Sequence, residues 1–154
     1  MFTNNIRTIT VFFAFVCALA GCRHTVDVHF DPSVADYTPV VREILENHPE
    51  GNITLRFGKG VYPFYPEKAP EEFLNVSNND SGNKRVAFLL KNMKNVRIAG
   101  DETDFMFHGS MTPFAVKGSE NVEISGISID YDYPWTFEGT VLSNDPVNRS
   151  FVVK

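Results

Sequence analysis

The feature that most constrains this chain is that it repeats itself. "FLLKNMKNVRIAG" from Phe88 aligns without a gap with "FAVKGSENVEISG" from Phe114, at an offset of 26 residues. Phe88 matches Phe114, Leu90 matches Val116 and Lys91 matches Lys117. Asn95 matches Asn121, Val96 matches Val122, Ile98 matches Ile124 and Gly100 matches Gly126. The shared pattern is Phe-x-aliphatic-Lys-x-x-x-Asn-Val-x-Ile-x-Gly. A unit of this size cannot bury its apolar face alone, so neighbouring units must stack. Within each unit apolar residues recur every second position, the period of a strand. Past the glycine, Phe105 and Phe107 correspond to Ile127 and Ile129, now at an offset of 22. The spacing predicts an all-β, right-handed parallel β-helix, with Val96 under Val122 and Ile98 under Ile124 inside. Asn95 and Asn121 form an amide ladder at a turn.

A weaker earlier layer starts at "NITLRFGKGVYPF", with Ile53, Leu55 and Phe57 inward and Gly58 and Gly60 at a tight turn. Before it, "DYTPVVREILENHPEG" reads as a helix, with Thr38 as N-cap and Pro39 in the first turn. Val40, Val41, Ile44 and Leu45 make its apolar face, and Pro49 and Gly51 stop it. A stack of coils has an open core at its first layer, and this helix is read as the cap that covers it. Residues 66–84 are polar and read as a projecting loop.

The two ends carry their own signals. Arg7 and the apolar run Thr8 to Ala20 form a secretory signal too short to span a bilayer. It closes with Leu19-Ala20-Gly21-Cys22, a bacterial lipobox in which Cys22 accepts the lipid and anchors the chain to the cell envelope. Cys17 leaves with the signal, so the mature chain holds no internal disulfide. At the other end "GTVLSNDPVNRSFVVK" reads as strand, turn and second strand, the start of a β-hairpin that needs further strands for stability. The expected organisation is a signal peptide over 1–21, a tether over 22–35, cap and coils over 36–136, and a hairpin over 137–154 that opens a longer protein. The net charge of −5 argues against nucleic acid as partner.

Chemistry concentrates in "SGISIDYDYPW", Ser125 to Trp135. Alternation puts Ile127, Ile129 and Tyr131 on one face and Ser128, Asp130 and Asp132 on the other. The α-carbons of Asp130 and Asp132 lie about 6.6 Å apart at a rise of roughly 3.3 Å per residue. Paired carboxyl groups in inverting glycosidases stand roughly 6.5–9.5 Å apart, so the spacing permits an acid–base pair. Tyr131, Tyr133 and Trp135 offer faces for a pyranose ring, and His108 follows a strand where it meets a sugar hydroxyl. Asp130, Asp132, Trp135 and His108 are the substrate-binding candidates. A solvated strand edge is the competing reading of the acidic pair. "SNND" lacks the spacing and terminal Glu of a calcium hand, and no zinc pattern, nucleophile elbow or phosphate loop occurs. No metal or cofactor is expected.

"LRFGKGVYPFYP", "NVSNNDSGNKRVAFLLKNMKNVRIAG", "DFMFHGSMTPFAVKGSENVEISGISIDYDYPW" and "FEGTV" together resemble the amino-terminal part of glycoside hydrolase family 110. The resemblance runs from about Ile53 to Val141. It implies a parallel β-helix with inserted β-barrel modules, entered at the hairpin. It also implies inverting, metal-free release of terminal galactose from α-1,3-linked glycans. The family's catalytic carboxylates are expected on later coils, beyond Lys154. Tyr133 and Ser110 stand where the family carries basic or larger polar residues, which bears on substrate preference. The competing functional readings are a non-catalytic glycan-binding envelope protein and another β-helix polysaccharide hydrolase or lyase.

Overall fold

The computed structural model describes residues 25–75, 80–133 and 138–154. The signal segment, Cys22 and Trp135 lie outside these residues. Among the described residues ten strands and one α-helix follow in order. They are β1 (Val26–Phe30), α1 (Thr38–Asn47), β2 (Gly51–Phe57), β3 (Gly60–Phe64) and, after a 3-10 turn at Pro66–Lys68, β4 (Glu71–Leu74) and β5 (Gly82–Lys91). The remainder are β6 (Lys94–Phe107), β7 (Thr112–Lys117), β8 (Glu120–Tyr131), β9 (Val141–Asp145) and β10 (Ser150–Val153).

The repeat becomes three sets of parallel pairings. β1, β2 and the first halves of β6 and β8 lie side by side, placing Ile53 opposite Val96 and Val96 opposite Val122. β3 pairs with the second half of β6, and that half with the second half of β8. β5 pairs with β7, with Phe88 opposite Phe114 and Lys91 opposite Lys117. The described residues are thus all-β apart from one α-helix and a 3-10 turn, and their largest sheet is parallel.

Inward residues form the core because alternate positions of each strand face its interior. Ile53, Leu55, Ile98, Phe105 and Phe107 are all fully buried. Phe30 stacks on Phe57 with centroids 4.3 Å apart, Phe88 on Phe114 at 4.8 Å and Phe64 on Phe107 at 5.1 Å. Each aromatic pair adds roughly 0.5–1.5 kcal/mol beyond the area it buries. The last layer is less covered: Ile124 is 39% exposed and Ile129 48%.

The amide ladder is present and one rung longer than expected. Asn95 Nδ2 donates to Asn52 Oδ1 at 2.8 Å, and Asn121 Nδ2 donates to Asn95 Oδ1 at 2.7 Å. All three asparagines have φ of 55°, a left-handed conformation that Asn tolerates better than most residues.

Four details depart from the sequence reading. First, beyond Gly126 the register offset falls to 24, not 22: Phe105 lies opposite Ile129 and Phe107 opposite Tyr131. The longer turn in β6 holds two extra residues, and Thr103 takes the inward place of Ile127. Its buried hydroxyl donates to Phe57 O at 2.9 Å and accepts from the Asp101 N–H at 3.0 Å, which is why a polar residue is tolerated there. Second, the residue before the helix is Tyr37 rather than Thr38. The Thr38 hydroxyl is occupied by the Tyr65 N–H at 2.8 Å, so it ties helix to β3 instead of capping. Third, Val26–Phe30, read as tether, is a strand paired along all five residues with β2. Fourth, the polar stretch 66–84 is partly structured, because Glu71–Leu74 pairs antiparallel with the start of β5.

Helix α1 buries Val41 and Leu45 and packs against β5 and the 3-10 turn. Its entry is fixed by the Tyr37 N–H, which donates to Pro63 O at 2.9 Å. The hairpin forms as read: β9 and β10 pair antiparallel around a turn held by Asp145. The Asp145 carboxylate accepts from the Val147 and Asn148 N–H groups and from the Asn148 amide, which lowers its pKa.

Candidate functional site

The outer side of the second set of strands gathers the polar residues singled out by alternation. β6 and β8 place Asp104 opposite Ser128 and Met106 opposite Asp130, and β3 contributes Val61 and Pro63 at the same levels. One residue further along, each strand ends in a turn residue. Tyr65, His108 and Asp132 follow Phe64, Phe107 and Tyr131, whose side chains point inward. Backbone bonds continue the ladder there: the His108 N–H donates to Phe64 O at 2.9 Å and the Asp132 N–H to Phe107 O at 3.1 Å.

This stacking joins two of the four candidates. His108 lies flat on Tyr65, with ring centroids 4.1 Å apart and planes within 3°. Its Nδ1 stands 2.8 Å from Asp132 Oδ2. A carboxylate at Nδ1 places the proton there in the neutral ring, which leaves Nε2 as an acceptor and makes it a donor once the ring is protonated. The imidazole is thereby held in one orientation by stacking on one side and a hydrogen bond on the other. The side chains of His108 and Asp132 are 24% and 43% exposed, so both reach solvent.

Asp130 is not part of this pair. Its Oδ1 accepts the N–H of Tyr131 at 2.8 Å, folding the carboxylate back on its own strand. Asp132 is thus paired with His108, while Asp130 bonds to the Tyr131 N–H. The cause is local: Asp132 lies one residue past the strand end, where strict alternation stops. Tyr131 points inward, and its hydroxyl donates to Met111 O at 3.1 Å, with burial raising its pKa. Tyr133 is largely exposed. Trp135 falls outside the described residues.

At the start of β3 and of the second halves of β6 and β8 a groove of about 390 Å³ is lined by Lys59, Gly60, Glu102, Thr103, Asp104, Gly126, Ile127 and Ser128. Lys59 and Glu102 form an ion pair across it. Sequence reading missed Tyr65, Lys59, Glu102 and Asp104. Tyr65 had a signal: in three successive layers an aromatic interior residue is followed by a polar or aromatic turn residue. Among the described residues no cluster of three or more His, Cys, Asp or Glu side chains stands ready to hold a metal ion. No helix among them is long and apolar enough to cross a membrane.

No protein-family model matches the chain. Curated relatives do. The chain is 38% identical over 109 residues to alpha-1,3-galactosidase A of Shewanella woodyi, covering 69% of this chain and 18% of that protein. It is 37% identical over 97 residues to alpha-1,3-galactosidase B of Akkermansia muciniphila, covering 62% and 12%. It is 35% identical over 118 residues to alpha-1,3-galactosidase B of Parabacteroides distasonis, covering 76% and 19%. The chain therefore spans less than a fifth of the length of these relatives. Over the matched residues the chain is thus similar to α-1,3-galactosidases, in keeping with its resemblance to glycoside hydrolase family 110.

Proposed function

We propose that the chain forms the amino-terminal layers of a right-handed parallel β-helix in a protein that releases terminal galactose from α-1,3-linked glycans with inversion. The observation that carries this reading is the similarity to α-1,3-galactosidases over more than half of the chain. Three sets of parallel pairings and a continuous asparagine ladder support the β-helix. The signal segment and Cys22 support a lipid anchor on the bacterial envelope, at the outer membrane or cell surface. The reading divides the chain into signal peptide (1–21), a segment (22–35) that includes strand β1, cap and first coils (36–136) and the start of an inserted barrel (137–154).

In this reading the outer face described above meets the glycan, and the catalytic carboxylates stand on further coils. Asp132 accepts from sugar hydroxyls, and His108 Nε2 accepts from a further one. Tyr65 backs the imidazole and excludes water from one of its faces. Binding by such a face is weak and polar, and it orients the sugar rather than breaking its bond.

The test is a titration of the chain with the disaccharide galactose-α-1,3-galactose, followed by calorimetry and by galactose release. Saturable binding without galactose release is expected, with Asp132→Asn weakening it about tenfold, the value of one charged hydrogen bond. Binding that is indifferent to both Asp132→Asn and His108→Ala refutes the face. Preference for uronic-acid polymers refutes the substrate class. Metabolic labelling with palmitate tests the anchor, and an unlabelled chain refutes it.

A further inference from the structure

The register of β3, β6 and β8 lays out more of the outer face than the His108–Asp132 pair occupies. Alternate residues of these strands point away from the core and meet side by side, level by level. Val61, Asp104 and Ser128 make the first level, and Pro63, Met106 and Asp130 the second. Tyr65, His108 and Asp132 make the third, joined by the backbone bonds at the strand ends. Along each strand the levels form a lane. The β3 lane is Val61, Pro63 and Tyr65, which carries no charge. The β8 lane is Ser128, Asp130 and Asp132, polar throughout. Asp104 and His108 put polar groups at the two ends of the middle lane, with Met106 between them.

An apolar lane beside a lane of acceptors suits a chain of sugars, whose ring faces are apolar and whose edges carry hydroxyls. About 13 Å separates the α-carbons of Asp104 and His108, at a rise of roughly 3.3 Å per residue. A galactose held by His108 and Asp132 therefore occupies only one end of the face. At the other end the groove of about 390 Å³ lies beside Asp104 and Ser128. Val61 is 53% exposed there. Among the described residues neither Asp104 nor Ser128 has a side-chain hydrogen bond or ion pair, so their oxygens are open to accept from a ligand hydroxyl. Beyond them Lys59 and Glu102 are paired with each other and mark the end of the track.

We propose that this face holds a glycan longer than a disaccharide, laid along the strands from His108 to the groove at Asp104. The inference rests on the reading of the face as glycan-binding, and it adds the length and direction of the ligand. A terminal galactose has no sugar beyond it, so the added units lie on its reducing side and run toward Asp104. Their hydroxyls donate to Asp130, Ser128 and Asp104, and their ring faces lie on Pro63 and Val61.

The full chain is titrated with galactose-α-1,3-galactose and with a linear tetrasaccharide that ends in this disaccharide. Calorimetry gives the affinities, and backbone amide shifts in NMR give the contacts. The tetrasaccharide is expected to bind about tenfold more tightly, the value of one charged hydrogen bond. It is also expected to shift the amides of Val61, Asp104 and Ser128, which the disaccharide leaves in place. Asp104→Ala is expected to bring the tetrasaccharide down to the affinity of the disaccharide, and Ser128→Ala to lower it part of the way. Disaccharide binding at His108 and Asp132 with no gain from the tetrasaccharide overturns this proposal and leaves the glycan-binding face standing. Binding of neither overturns both. A gain that survives Asp104→Ala overturns the proposal, as do tetrasaccharide shifts that leave Val61, Asp104 and Ser128 untouched. If Asp104→Ala does not fold, Ser128→Ala and the shifts on the native chain decide.

Discussion

Replacing Asn95 by alanine isolates what the amide ladder contributes. Asn95 is the middle rung: it donates to Asn52 and accepts from Asn121, so truncation breaks two hydrogen bonds. Exposed side-chain bonds of this kind contribute about 0.5–1 kcal/mol each. Its φ of 55° adds a second cost, because alanine in the left-handed region is strained by roughly 1 kcal/mol. The sum is about 2–3 kcal/mol. Asn121→Ala has the same backbone strain but breaks one bond, so it costs about 0.5–1 kcal/mol less. Asn95→Gly loses both bonds without the strain, and its added unfolded-state freedom offsets only part of that relief. Urea unfolding followed by circular dichroism measures all three. With an m value of about 1.5 kcal/mol/M, Asn95→Ala shifts the midpoint by about 1.5 M. Equal effects of Asn95→Ala and Asn121→Ala would show that the ladder bonds contribute nothing measurable. If glycine at position 95 were as damaging as alanine, the strain component would be wrong.

Two further outcomes follow from the same structure. Gly126 has φ of 70°, and a Cβ there would strike the Gly100 carbonyl, so Gly126→Ala is expected to cost more than about 2 kcal/mol. Gly82→Ala, where a Cβ meets open space, is the control expected to be neutral or slightly stabilising, and similar urea midpoints for the two variants would contradict the packing at Gly126. Glu72 bridges Lys117 at 2.6 Å and Lys91 at 3.1 Å, and these bonds lower its pKa. A depressed folded pKa stabilises above the unfolded value and ceases to do so as pH falls through the folded one. The stability gap between the native chain and Glu72→Gln is therefore expected to be larger at neutral pH than at about pH 3, and an unchanged gap counts against the bridge.

Much of the first sheet was legible because its register is written as a period. Val96, Ile98 and Asn95 recur 26 residues later, and stacked strands pair those positions. The turn between Ala99 and Thr103 was misread because Phe105 and Ile127 are both apolar, and composition does not distinguish an offset of 22 from one of 24. The choice is made by Thr103, whose buried hydroxyl satisfies backbone groups that no isoleucine would satisfy. β1 carries an alternating signal in Val26, Val28 and Phe30, but next to the leader five residues are too short a run to stand out from a tether. β4 carries little signal of its own, since Glu71 and Glu72 owe their conformation to pairing with Arg85 and Lys84. At the candidate site, His108 and Asp132 were each visible, but not their pairing. That contact joins residues 24 apart through the corrected register and depends on a turn beyond the last alternating position.

The rungs of the ladder are unequally spaced along the chain. Asn121 reaches back 26 residues to Asn95, whereas Asn95 reaches back 43 to Asn52. Closing the larger loop costs about 0.4 kcal/mol more in chain entropy, and more again while the β4–β5 ribbon remains unformed. Pairing of β6 with β8 is therefore the cheaper first event, although its own apolar face is left half-covered. β1 pairs with β2 at an offset of 27 residues, as local as β6 with β8, so the costlier closure is the junction of β2 with β6, which joins two locally formed layers.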